Sequence, residues 1–407
     1  RRKIFFKKVY SLLIIKKVVM FKKSSVVYLF LFLSLVFNAQ ETIKVEGLIV
    51  DKDKYSIPYA AVSILSKSIG TASNDDGGFV LKLTQENLND TITVSTLGFA
   101  TFKIKVQDFI KLEEKIITLD EDVVSLDEIT LINYKFYVKD ALNNLKNTTQ
   151  RKGHQLNILY RRFSNENGVS RFLVEHYLKV YDRGPTSNEF EEIEVVESRK
   201  SNDYRFAKKK QTFHAAVMIA KQNPLRKGIY RNDYKWEVID DTSYDGEDVI
   251  VVEGKEKENP NKWIKLYIGV DTKGIYKLEN SMHNAVYIYK KNKEGKLVLS
   301  YHNREYVFNE KMTPYMKKLL KLNSNKMKLS YRHEAIVLGV VTNRKKIRVS
   351  DNIIKRKDIG DYNIKYNSDF WKNINLPPDS KFYKRSAKQL EKLFGIPLEN
   401  QFKLIKN

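Results

Sequence analysis

From Thr42 onward, apolar residues recur at every second position in short runs bounded by turn residues, and this period of two constrains the fold more than any other feature. Phe79, Leu81 and Leu83 alternate with Val80 and Lys82, and Ile92 and Val94 with Thr91, Thr93 and Ser95. Farther on, Ile264, Leu266, Ile268 and Val270 fall on one side of a segment whose other side carries Trp263, Lys265 and Tyr267. A strand turns successive side chains to opposite faces, whereas a helix groups them three and four apart. The expectation is a mainly β protein. The 24 tyrosines and 21 phenylalanines favour strands, and 42% hydrophobic residues supply a folded core. A chain of 407 residues has room for two or three domains.

Residues 1–39 read as upstream residues and a signal peptide, and so predict export. Phe21-Lys22-Lys23 is a short basic head, Val26 to Phe37 an apolar run broken by Ser34, and Asn38-Ala39-Gln40 a cleavage region. Met20 starts this signal, and residues 1–19 read as upstream translation. The run is shorter than a membrane span. With no cysteine, there is no disulfide, no thiolate metal site and no site for diacyl attachment. The protein is therefore expected in the periplasm or associated with the outer membrane. Its charge is uneven. Residues 40–132 hold nine basic side chains against 16 acidic ones, and the following body carries nearly all of the net +24. Such a body can dock on the acidic module or meet anionic lipid or glycan. Export makes nucleic acid a poor partner, and no nucleic-acid motif is present.

Residues 42–132 read as six or seven short strands with turn chemistry between them. Gly47 and Asp51 are followed by Ile57-Pro58-Tyr59-Ala60-Ala61-Val62, then Gly70-Thr71, Asn74-Asp75-Asp76-Gly77-Gly78-Phe79, and later Leu97-Gly98-Phe99. Pro58 stiffens one turn by fixing φ, and the Asn/Asp/Gly cluster makes another before Phe79 re-enters the core. This order resembles the carboxypeptidase-regulatory-like domain, and Leu126-Asp127-Glu128-Ile129 resembles the segment after such domains in TonB-dependent receptors of Bacteroidota. Ala72-Ser73-Asn74 departs from the family's plain Thr-Asp. The resemblance implies a small antiparallel Ig/transthyretin-like β-sandwich and a docking or sugar-binding accessory role, not peptidase activity.

Residues 135–407 are expected to form a larger curved antiparallel β domain with a few helices and a carboxyl-terminal helix. Val138 to Leu145 reads as a helix, Asn165 to Gly168 as a hairpin turn, and residues 236–310 as a meander. The rhythm is weakly similar to the LolA/LolB-like half-barrel. Residues 183–235 are polar and lysine-rich, with helix expected only around His214 to Ala220. Near the carboxyl end, a basic helix from Ser380 to Leu393 is expected to cap the sheet.

No catalytic or metal site emerges. His302-Asn303-Arg304-Glu305 spells the paired ligands of zinc carboxypeptidases, but residues three apart on a strand point to opposite faces. Asp75-Asp76 reads as turn chemistry rather than a calcium site, and no nucleophile elbow, phosphate loop or dinucleotide motif occurs. No cofactor is expected. The candidate ligand-facing residues are the aromatics Trp263, Tyr267, Tyr287 and Tyr289, which can line a groove for acyl chains or sugar rings, or lie in the core. The leading reading is a non-enzymatic cell-envelope protein binding a partner protein, glycan or lipid. Alternatives are an envelope polysaccharide or peptide hydrolase and a periplasmic lipid or lipoprotein carrier. A carrier predicts an apolar concavity beside Tyr267 and Tyr287.

Overall fold

The computed structural model describes residues 42–122, 134–393 and 395–404. The signal reading, the Leu126–Ile129 segment and the junction between the two expected domains lie outside them. The structure is mainly β, with a small sheet-built unit ahead of a curled half-barrel sheet.

Seven strands make the first part: β1 (Ile43–Val50), β2 (Ala61–Ile64), β3 (Ile69–Ala72), β4 (Gly78–Leu83), β5 (Thr91–Ser95), β6 (Phe102–Lys105) and β7 (Ile116–Thr118). They form a three-stranded sheet in the order β4-β1-β7 and a second row β3-β2-β5-β6. Val62, Ile64, Leu81, Ile92 and Val94 are buried, as their alternation requires. One pairing departs from the antiparallel expectation. β1 runs parallel to β7, and the short helix Val106–Lys111 carries the chain from β6 in the second row to β7 in the three-stranded sheet.

Ten strands follow: β8 (His154–Glu166), β9 (Val169–Asp182), β10 (Glu192–Lys200), β11 (Tyr234–Tyr244), β12 (Glu247–Glu256), β13 (Trp263–Gly269), β14 (Ile275–Asn280), β15 (Ala285–Lys291), β16 (Leu297–Lys311) and β17 (Lys326–Val341). They pair antiparallel in the order β10-β9-β8-β17-β16-β15-β14-β13-β12-β11. The hairpins turn where Asn167-Gly168 and Asp245-Gly246 each hold two consecutive positive φ angles, the requirement of a tight hairpin.

The middle strands are covered on both faces. β8 is buried along nearly its whole length, so it lacks the polar outer face of a one-sided strand. On one face lies the large core, with Leu156, Ile158, Tyr160, Leu266, Leu278 and Tyr287. Ala215, Ala216, Val217, Ile219 and Ala220 enter the same core from the polar stretch, where the sequence predicts a helix and the chain forms one over Val217–Lys221. On the other face, Leu159 and Tyr301 pack with Ala72 and Trp371, and Phe163 and Leu173 with Tyr383, Leu390 and Phe402. The helix Lys381–Lys392 supplies Tyr383 and Leu390, and the Ser380 side chain accepts from the Tyr383 amide at its start.

The acidic module and the basic body meet through the Asn/Asp/Gly turn. Asp75 accepts two hydrogen bonds from one Arg332 nitrogen at 2.9 and 3.1 Å, and Asn74 donates to the Pro378 carbonyl. Tyr59 donates to Asp75 and stacks on Tyr301 at 4.2 Å between ring centres.

Candidate functional site

Strand register places four expected aromatics on two faces. Tyr287 pairs with Leu278, which pairs with Leu266, so all three share the core face. Tyr267 pairs with Lys277, which pairs with Ile288, and these occupy the opposite face. Tyr287 and Tyr289 are buried, whereas Trp263 and Tyr267 are half-buried under Lys265 and Lys277. Tyr289 accepts from Asn223 at 2.7 Å. The single aromatic face expected from spacing is therefore divided, because residues of equal parity on different strands share a face only if the register agrees.

Sequence reasoning missed two polar rows across the core face. Arg162, His333 and Arg304 stand directly opposite one another on β8, β17 and β16. The next row is Tyr160, Ala335, His302 and Tyr287. Arg162 forms a two-nitrogen clasp on Asp358 at 2.8 and 2.9 Å. Burial alone would raise the Asp358 carboxyl, but Arg162 and two backbone amides outweigh it and hold it at about 2. Arg304 is different. Its guanidinium donates to the Ala215 carbonyl at 2.6 Å and the Tyr160 hydroxyl at 3.1 Å, and approaches His302 Nε2 at 3.2 Å. Among the described residues no carboxylate pairs with it. The His302 Nδ1 lies 2.8 Å from the Val286 carbonyl, so it carries the proton and leaves Nε2 to accept. Burial, then Arg304, push His302 and His333 well below the ordinary histidine range. His302, His333 and Tyr160 are fully enclosed, and Glu305 faces away from them along the strand. Among the described residues no group of three potential metal ligands converges.

The second arrangement lies on the opposite face. A cleft of about 330 Å³ is walled by Ile57, Pro58, Tyr59, Ala61, Leu97 and Phe99 on one side and by Tyr244, Lys277, Ile288 and Lys290 on the other, with Tyr289 at its border. Lys277 pairs with Glu279. Lys290 has no acidic or hydrogen-bonding partner among the described residues, although only 6% of its surface is exposed. Burial alone pushes its ammonium down to about 8 from the ordinary 10.5. Lys200 shows the usual remedy, donating to Gly360, Tyr362 and Asn363. Gly70 makes room for the Lys290 head: a Cβ there would stand 3.2 Å from its Nζ. No sequence signal marks Lys290, since a lysine at a strand end reads as solvated.

Arg332 occupies the carboxylate of Asp75, in the segment that reads from sequence as turn chemistry rather than a calcium site. Among the described residues no helix is long and apolar enough to cross a membrane.

No curated protein matches this chain. A LolA superfamily protein from Nitrosomonas europaea is similar over 49% of this chain and 92% of its own, at 13% identity and a TM-score of 0.21. A DUF1329 family protein from Desulfovibrio piger is similar over 47% and 88%, at 10% identity and 0.20. The MucA/MucB complex structure from Pseudomonas aeruginosa is similar over 51% and 98%, at 8% identity and 0.18. With TM-scores this low, none of them bears on what this chain binds. Residues 45–131 match the model of the CarboxypepD_reg-like domain, the module whose turns organise the first part of the chain.

Proposed function

We propose that this is a non-catalytic, exported cell-envelope protein that binds an amphiphile with an acidic head group in the cleft beside Lys290. Export is carried by the basic head and apolar run of residues 21–39. One observation supports the ligand class: Lys290, only 6% exposed and with no acidic partner among the described residues, lines a mostly apolar cleft of about 330 Å³, its ammonium set against Gly70. That volume lies within the range of small-ligand pockets. Displacing a lysine from 10.5 to about 8 costs about 3 kcal/mol, and a carboxylate or phosphate at Nζ would offset that cost. An apolar tail would take the place of water against Ile57, Leu97, Phe99 and Ile288.

The test is fluorescence titration with a dansylated fatty acid and with its methyl ester. Preferential binding of the acid, lost in Lys290→Met, supports the reading. Equal binding of acid and ester, or acid binding unchanged in Lys290→Met, would sink it.

A further inference from the structure

The connection between β16 and β17 carries a surface that the cleft does not explain. Residues 311–328 contain Lys311, Lys317, Lys318, Lys321, Lys326 and Lys328, with no acidic residue and no arginine. Lys311 and Lys326 stand directly opposite each other across the last rung of the strand pair, an arrangement that repels. Between them the helix Pro314–Leu319 is capped by Thr313, whose side chain accepts from the Met316 amide, and Pro314 sits in its first turn. Tyr315 and Leu319 lie four apart, on one helix face, and are 72% and 56% exposed.

An exposed aromatic and an exposed leucine on a preformed helix, ringed by lysines, suit a water–lipid boundary. Lysine is depleted in protein–protein interfaces, where arginine is favoured, and this segment has only lysine. As a compact, flexible point charge, lysine suits a diffuse layer of head groups better than a fixed carboxylate. We infer that this hairpin tip docks on the surface of an anionic phospholipid bilayer, with Tyr315 and Leu319 entering the head-group layer. The inference goes beyond the cleft reading and stands without it.

The experiment is co-sedimentation of the full chain with phosphatidylcholine vesicles, with and without phosphatidylglycerol, at low and high salt. Binding is expected only with phosphatidylglycerol and is expected to weaken with salt. Removing one lysine near such a surface costs about fivefold in binding. The triple variant Lys317→Glu, Lys318→Glu, Lys321→Glu should therefore lose roughly a hundredfold or more. The pair Tyr315→Ser, Leu319→Ser should also lose binding, and because these side chains are exposed the fold should persist. Absence of a phosphatidylglycerol preference, or full binding by both hairpin variants, would each overturn the inference.

Discussion

Two side chains carry polarity into places where hydrophobic residues would be more stable. Lys290 is only 6% exposed with no acidic partner among the described residues, and the hydroxyl of Tyr287 has no partner among them while its ring stacks on His302 at 4.2 Å. Lys290→Met is expected to raise the denaturation midpoint, by up to about 3 kcal/mol of recovered burial cost, while abolishing binding of acidic amphiphiles. Equilibrium denaturation and the dansyl titration together check this. The native ammonium titrates near 8 and the unfolded one near 10.5, so the unfolded state holds more protons between them. Stability gained from deprotonating Lys290 thus grows as pH rises through that window, whereas affinity for an acidic head group should fall as pH passes about 8. Tyr287→Phe removes an unsatisfied group and should be neutral or stabilising by about 1 kcal/mol in the same denaturation assay.

Among the elements, β8, β9 and the helix Lys381–Lys392 hold the covered centre of the sheet together. Leu390 is fully buried against Phe163 and Leu173, so Leu390→Ala should cost about 3 kcal/mol, read from a urea midpoint. Charges here are closely matched. Glu175 lies between Arg161 and Arg199 at 2.7 and 2.6 Å; burial alone would raise it, but the two guanidiniums hold it at about 2. Arg162→Ala strands the Asp358 carboxylate in the core and should cost about 3–5 kcal/mol, more than losing the pair together. A double-mutant cycle with Asp358→Ala would expose that difference.

Across the whole molecule, five of the six histidines are buried, His283 being the exception. His176, His302 and His333 lie well below the ordinary 6.5, and burial pushes His214 to about 3. As pH falls, the unfolded chain takes up these protons first. Their contribution to stability is complete above about 6.5 and is lost as pH falls toward the native values. Thermal melts should therefore show stability falling between about pH 7 and 5, before most carboxylates titrate. A flat profile across that range would mean the rings are not enclosed as described.

Local pattern determined much of this. Alternation in Phe79–Leu83 and Trp263–Val270, the hairpin dipeptides at Asn167-Gly168 and Asp245-Gly246, and the turn run from Asn74 to Phe79 identify strands, turns and the first module, because each depends on neighbours along the chain. Tertiary structure decided what alternation cannot encode. It split Trp263 and Tyr267 from Tyr287 and Tyr289 through register, covered the second face of β8, and drew His214 to Ala220 from a polar stretch into the core. It also aligned Arg162, His333 and Arg304 from three strands, and enclosed Lys290 against Gly70. A period of two tells which residues share a face within one strand, whereas a site is made by which strands lie side by side and what covers them.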